Sequence, residues 1–244
     1  MSGDRSAILT YHSLDVSGSV ISTDPALFER QMGYLADSRI PVRPLDQVLD
    51  HPGSVAITFD DGYCNLLNYA LPVLERYRLP ATIFIVSQYC GLSNEWPSQP
   101  RGRVPAFPLL GWEELSALPA QLSLGAHTKT HPDLCRLPAE ECEREMRECR
   151  EEIQQRTGRA VRWFAYPYGI SSPPVRALAG RHFDLAVGTS LRFLSSPLDR
   201  FDLPRIDAYY LGGRFSLEQL FSGPGRLYIG LRSLLRGLRR LARH

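Results

Sequence analysis

The chain is predicted to be an α/β protein, and two observations carry that prediction. Short β-type runs alternate with helical stretches along most of the 244 residues. Several of those runs, such as ATIFIV at 81–86, are continuously apolar or β-branched. Runs without strict polar alternation mark parallel strands buried on both faces. Alternation sustained over this length leaves two architectures, a barrel or an open sheet.

Taken in order, the strands are Ala7–Tyr11, Val55–Phe59, Ala81–Val86, Leu122–Ala126, Val161–Ala165 and Asp184–Val187, with Asp207–Leu211 a weaker seventh. Helices fit between them. Asp24 can cap a helix with Pro25 in its first position, running to about Ser38. Leu66–Tyr77 reads as helix with Pro72 kinking it or shifting its start. Trp112–Leu118 is a short helix. Pro138–Arg156 is the clearest, dense in Glu and Arg with pairs such as Glu140–Arg144, and Gly158 ends it. Ser172–Pro173 opens another that ends near Gly180. The stretch Cys90–Pro108 breaks the rhythm with prolines and turn residues and reads as a long rim loop, a place where function often sits.

Composition narrows the class. Apolar residues are 43% and charged residues 22% of the chain, which excludes a disordered tail, a fibrous repeat or a disulfide scaffold. No run approaches the 18 or so apolar residues of a membrane span. The opening MSGDRSAILTYH lacks an apolar stretch of signal length, so a cytosolic address is expected. Five cysteines, with Cys135, Cys142 and Cys149 spaced by seven on one expected helix face, read as reduced thiols. Net charge is +2, with 28 basic and 26 acidic residues. Six arginines at 226, 232, 236, 239, 240 and 243 supply that excess, and the rest of the chain is net acidic. Total charge is therefore no argument for nucleic-acid binding.

Polar residues recur where strands end. His12 follows AILTY, Asp60 and Asp61 follow VAITF, His127 follows LSLGA, and Tyr166–Gly169 follows VRWFA. All four lie at the C-terminal strand ends, where α/β folds build sites. His127 and His131 in HTKTH have a spacing that lets both imidazoles share an ion, and one carboxylate completes a facial set suited to zinc or to iron. Asp60–Asp61–Gly62 offers that carboxylate. Two adjacent acids are costly to bury unless an ion takes one and the other serves as base. The plain alternative is a helix N-cap beside a surface aspartate. His12 fits either a structural histidine or an acid that protonates a leaving amine. His51, His182 and His244 receive no role. His182, at a helix end, is explained by the dipole. Trp96 and Trp112 offer rings on which a ligand could stack, and Trp112 could equally pack against the wall of the fold.

TFDDG at 58–62, HTKTH at 127–131 and YPYG at 166–169 resemble, in order and spacing, the central motifs of the polysaccharide deacetylase family, the NodB-like carbohydrate esterase family 4. The resemblance spans roughly residues 7–210. It implies a distorted (β/α)7 barrel, a divalent metal (commonly zinc) and hydrolysis of an acetyl group from an amino sugar. On that resemblance Asp60 is the base, Asp61, His127 and His131 are the metal ligands, Thr128 supports them, and the Tyr168 backbone amide serves the oxyanion. The family's arginine before its third motif is replaced by Ala165, and Arg205 in FDLPRI is the candidate substitute. The family's late histidine has no counterpart after His182 within the domain. ILTYHSL resembles instead the poly-N-acetylglucosamine deacetylase branch, in which a displaced N-terminal histidine takes the acid role, here His12. A non-catalytic glycan-binding descendant, a deacylase for another acyl group on a small amino sugar, and an iron oxygenase built on the same three ligands are the competing readings.

Two units follow, a deacetylase-like domain over residues 1–225 and a basic amphipathic helix over 226–244. In the helix, apolar positions 227, 231, 234, 235, 238 and 241 oppose the arginines. This fits a helix lying on an anionic membrane surface, or a final helix packed on the barrel with its arginines in solvent. RNA is disfavoured because Tyr228 is the segment's single aromatic.

Overall fold

The computed structural model describes residues 5–99, 104–213 and 215–241, with side chains described as far as 236 in the last helix. Its strands are β1 (Ala7–Tyr11), β2 (Ser13–Leu14), β3 (Ser22–Thr23), β4 (Val55–Phe59), β5 (Ala81–Ile85), β6 (Leu122–Ala126), β7 (Trp163–Ala165), β8 (Leu185–Val187) and β9 (Ile206–Asp207). Its helices are α1 (Pro25–Asp37), α2 (Asn65–Tyr77), α3 (Trp112–Ala117), α4 (Ala139–Thr157), α5 (Pro173–His182), α6 (Leu217–Leu220) and α7 (Gly223–Leu241).

Seven strands pair in parallel in the order β8-β7-β6-β5-β4-β1-β9. The sheet curls, and the segment leading into β9 spans the seam. Leu203 bridges Val187 of β8, and three residues later Ile206 pairs with Leu9 of β1. The result is the distorted (β/α)7 barrel expected from the sequence.

Strand parity sorts the core. Residues pointing outward from the strands, including Leu9, Tyr11, Ile57, Phe59, Ile83 and Phe164, pack under the helices. Residues of the opposite parity, Ile8, Ala56, Phe84, Trp163, Ala165, Leu185 and Val187, fill the barrel interior. Gly125 lies in that interior, where a Cβ would stand 2.4 Å from the Phe84 ring. Glycine there leaves room for the ring to cross the barrel. Alternation is strict in a strand. Inward parity therefore continues from Ile8 through Thr10 to His12, from Ala56 through Thr58 to Asp60, and from Gly125 to His127. The pattern that packs the interior also sends these polar groups to its mouth.

The helices follow local rules. Asp24 accepts from the Ala26 and Leu27 amides at the start of α1. Helix α2 runs through Pro72 and ends where Arg78 turns left-handed. Gly158, at φ 68°, ends α4 as expected, and α5 runs on past Gly180 to His182.

Three expectations need correction. Of Asp207–Leu211 only Asp207 is strand; Ala208–Leu211 is a 3-10 turn, because the Asp207 carboxylate accepts from the Tyr209 amide and bends the chain. Cys135 is exposed in a separate 3-10 turn, whereas Cys142 and Cys149 are buried on α4. His182 accounts for itself through Glu143, whose carboxylate lies 2.9 Å from Nε2, rather than through the helix dipole alone.

Candidate active site

The acidic pair comes from one tight turn after β4. Asp60 is anchored by its amide, which donates to the Tyr11 carbonyl, while Gly62 donates back to the Asp60 carbonyl. Asp61 between them has φ 70°. Gly62, at φ 77°, lies so close to Ile85 that a Cβ would meet it at 2.8 Å. The two carboxylates are thereby aimed differently. Neither caps a helix, since α2 starts at Asn65.

Asp60 points to Arg205. The guanidinium donates from Nη1 to Oδ1 and from Nη2 to Oδ2, both at 2.7 Å. Arg205 is itself 1% exposed and is held by Nε donating to the Gly188 carbonyl and Nη1 to Thr58 Oγ1. Such a fork is the strong, planar form of a carboxylate contact. Arg205 reaches Asp60 because it sits on the seam-closing segment, 145 residues away in sequence. Burial alone would raise the Asp60 pKa, but the Arg205 charge, with His127 and the Arg205 hydrogen bonds, holds it well below the usual carboxylate range. His12 Nε2 lies 3.8 Å from Asp60 Oδ2 and is partly open to solvent.

Asp61 points the other way. Its Oδ2 accepts from the Tyr63 hydroxyl at 3.0 Å. Its Oδ1 is buried without a hydrogen-bond donor and faces His127 Nε2 at 3.5 Å and His131 Nε2 at 3.6 Å. Burial, the largest influence, raises the Asp61 pKa, and burial pushes His131 well down, away from the imidazolium. Three buried donors lie within 4.8 Å of one another. Ligand atoms each about 2.1 Å from a tetrahedral ion stand about 3.4 Å apart, so the spacing suits a shared divalent cation better than direct hydrogen bonds. His127 Nδ1 lies 2.8 Å from the Ala165 carbonyl, which leaves Nε2 as the free lone pair. The orphaned Asp61 oxygen and the two imidazole Nε2 atoms facing it fit a metal of N and O preference.

The HTKTH turn is held by α4. Glu145 accepts from the Thr130 amide and hydroxyl, and Glu148 accepts from Lys129. Thr128 Oγ1 accepts from the His131 amide, and Thr128 and His131 both have positive φ. Of the five non-glycine residues at positive φ among those described, four are Asp61, Thr128, His131 and Tyr168. Strain of this kind, about 1–3 kcal/mol per residue, persists only where surroundings over-determine it. Tyr168 belongs to a 3-10 turn after β7, followed by Gly169, where a Cβ would strike Thr189 at 2.1 Å. The Tyr168 ring meets His131 edge-on at 4.8 Å, and its hydroxyl donates to the Ser98 carbonyl.

The rim loop supplies residues that sequence reasoning did not assign. The Asn94 side chain donates to Tyr63 and to the Pro105 carbonyl, and accepts from the Phe107 amide. Trp96 is a correction: it is buried, and its ring lies over His131 with centroids 4.2 Å apart. That face is taken, so Trp96 is no open platform for a sugar. Trp112 lies away from the cleft, against the core and under Arg156. Tyr63, Ser98 and Glu145 had no motif to betray them; only the proximity of Tyr63 to Asp61 in sequence offered a signal.

An open cleft of about 480 Å³ brings His12, Asp60, Asp61, His127, His131 and Tyr168 to one surface. Arg205 lies beneath it, behind Asp60. A family model described as polysaccharide deacetylase matches residues 49–182. The chain belongs to the polysaccharide deacetylase family. The match includes the acidic pair, HTKTH and YPYG; His12 and Arg205 lie outside it and join the site through the fold. A chitooligosaccharide deacetylase of Sinorhizobium fredii is 33% identical over 124 residues, 50% of this chain and 50% of the relative. The chain spans about half the length of the curated relatives it matches. A polysaccharide deacetylase from Bacillus cereus shares the fold at TM-score 0.73 and 22% identity, over 90% of this chain and 69% of the other. IcaB from Ammonifex degensii does so at 0.70 and 23%, over 85% and 94%.

Proposed function

We propose that this polysaccharide deacetylase family member is a metal-dependent hydrolase that removes an acetyl group from the nitrogen of an N-acetylated amino sugar or glycan. The observation that carries the reading is the division of labour between adjacent acids: Asp60 engaged by Arg205, Asp61 facing two histidines, both opening on one cleft. A glycan-binding role without catalysis has no need of a buried arginine-paired carboxylate beside a candidate metal set. The likeness to a chitooligosaccharide deacetylase of Sinorhizobium fredii supports chito-oligosaccharides as the first substrates to try.

Asp61, His127 and His131 would hold the ion, zinc being our choice from their N and O donors. Bound there, a divalent cation supplies Lewis acidity to the amide carbonyl and to water. Asp60 takes the proton from the attacking water. A carboxylate has about four lone-pair sites, and Arg205 uses two, so Asp60 keeps capacity toward the cleft. Arg205 keeps Asp60 ionised, which guarantees the base form while lowering its basicity. The Tyr168 amide donates to the carbonyl oxygen as negative charge gathers on it. His12 delivers a proton to the departing nitrogen. The C–N bond breaks, acetate keeps the new C–O bond, and the free amine leaves.

The test is acetate release from chito-oligosaccharides and other N-acetylated sugars by zinc-loaded protein, run beside Asp60→Asn with metal content measured. Release by the wild type, and a loss of about 10²–10⁴-fold in a variant that still holds its ion, supports the assignment. Binding of the sugars with no acetate from either protein would sink it in favour of glycan binding.

A further inference from the structure

Helix α7 docks opposite to the arginine-out packing expected of a final barrel helix. Ile229 is buried against the core. Arg232 and Arg236 lie over the Tyr210 ring at 5.5 and 5.9 Å, and Arg236 lines the rim of the cleft. The leucines face outward: Leu227, Leu231, Leu234 and Leu235 are 76%, 54%, 62% and 40% exposed. Across a groove from Leu231 and Leu235 lie Gly18 and Ser19, in a loop whose Val16 and Val20 are also exposed. Apolar side chains this exposed on one side of a molecule mark a contact surface.

We propose that this face seats on an anionic phospholipid bilayer, with the leucines of α7 entering the interface beside the cleft. Charge selects the occupant. No acid follows Glu218, while arginines stand at 226, 232, 236, 239, 240 and 243. Exposed Arg226 flanks the leucine face one residue from Leu227. A leucine face whose only neighbouring charges in the sequence are arginines is the pattern of an interfacial helix on anionic lipid. A second copy fits worse. The spacing 227, 231, 234, 238, 241 is heptad-like, but Gly230 and Gly237 occupy flanking positions where paired helices place complementary charges. Two such faces would bring only like charges together. The inference stands apart from the reaction proposed above, since its readout is sedimentation and not acetate.

The experiment is co-sedimentation of the full chain with phosphatidylcholine vesicles and with vesicles containing phosphatidylglycerol. Variants are Leu227→Asp and Leu231→Asp/Leu234→Asp; these side chains are exposed, so circular dichroism and thermal unfolding should match wild type. Wild type is expected to sediment with the anionic vesicles, weakening at high salt, with a loss of at least about ten-fold in the double variant and a smaller loss in the single one. Equal binding to neutral vesicles, no sedimentation, or unchanged binding by the double variant would overturn the proposal. So would a dimer in light scattering that the same variant dissociates.

Discussion

The barrel mouth and α7 break the usual partition of residues in opposite senses. At the mouth Asp60, Asp61, His127, His131 and Arg205 are buried; along α7 Leu227, Leu231 and Leu234 are exposed. Burying charge is expensive unless it is paired, and the mouth meets that cost internally for Asp60 but leaves one oxygen of Asp61 without a donor. Exposing leucine forgoes about 1.5–3 kcal/mol per fully buried side chain, and α7 has nothing within the described chain that covers it. The contrast lies in how each region is secured. Residues at the mouth are held from several elements at once, by α4, the rim loop and the seam. Helix α7 is held on one side only. A cation would complete the first region and an apolar, anionic surface the second.

The largest effect should come from the metal set. Asp61→Ala or His127→Ala is expected to abolish bound zinc and cut deacetylation by at least about a thousand-fold, since the ion supplies both Lewis acidity and site geometry. Chelation of wild type should do the same and also lower Tm, because an ion that binds only the folded state stabilises it by mass action. Elemental analysis and thermal melts with and without chelator check this. A wild-type melt indifferent to chelator and to added zinc would break the assignment of the mouth as a metal centre.

Next comes the Asp60–Arg205 pair. Arg205→Met leaves a buried carboxylate unpaired, a loss of about 3–5 kcal/mol and a fall in Tm on the order of 10 °C. The pH dependence sharpens it. Asp60 has a folded pKa depressed below its unfolded value. The stability it contributes is therefore fully present above the unfolded value of about 4 and is lost as pH falls through the depressed one. Arg205→Met should flatten that acid limb. Arg205→Lys keeps charge but not the fork, and should fall between the two in both melts and kcat.

Much of this was legible in the sequence, and the boundary has a physical cause. Strand ends are local, so Asp60, Asp61, His127 and the strand–helix alternation could be read directly, whereas the choice of a (β/α)7 barrel over an open sheet came from the family resemblance. HTKTH and YPYG carried their own spacing. Arg205 could only be nominated, because its contact with Asp60 depends on how the seam closes. Trp96 was misread as a platform because a loop's path, unlike a strand's, has no period to extrapolate. Glu145 is one of several glutamates on α4, and nothing local says that it holds Thr130. The facing of α7 was likewise open: the helical pattern gives two faces and does not say which one meets the barrel.

Trp96 offers a subtler test of the mouth. Its ring covers His131, and Ser98, which accepts from Tyr168, also donates to the His131 carbonyl. Trp96→Phe retains an aromatic face, whereas Trp96→Leu keeps bulk and loses it. Zinc affinity, measured against a competing chelator, should fall about ten-fold in Trp96→Leu, the scale at which outer contacts tune a metal site, and less in Trp96→Phe. Equal losses in both would assign Trp96 to packing alone.

The smallest effect on chemistry should come from α7, and that smallness discriminates between the two regions. Leu231→Asp/Leu234→Asp lies on the solvent side of a helix whose anchor is Ile229, on the opposite face. Exposed substitutions away from a packed contact change stability by no more than about 0.5 kcal/mol. Acetate release from a soluble chito-oligosaccharide should therefore match wild type, with unchanged kcat and KM. The same variant assayed on an N-acetylated sugar carried by anionic vesicles should lose rate through KM, because seating raises the local concentration of a surface-held substrate without touching the reacting atoms. A fall in kcat on the soluble substrate would mean that α7, through Arg236 at the rim, belongs to the catalytic cleft, and the separation between a mouth that does chemistry and a helix that holds position would fail.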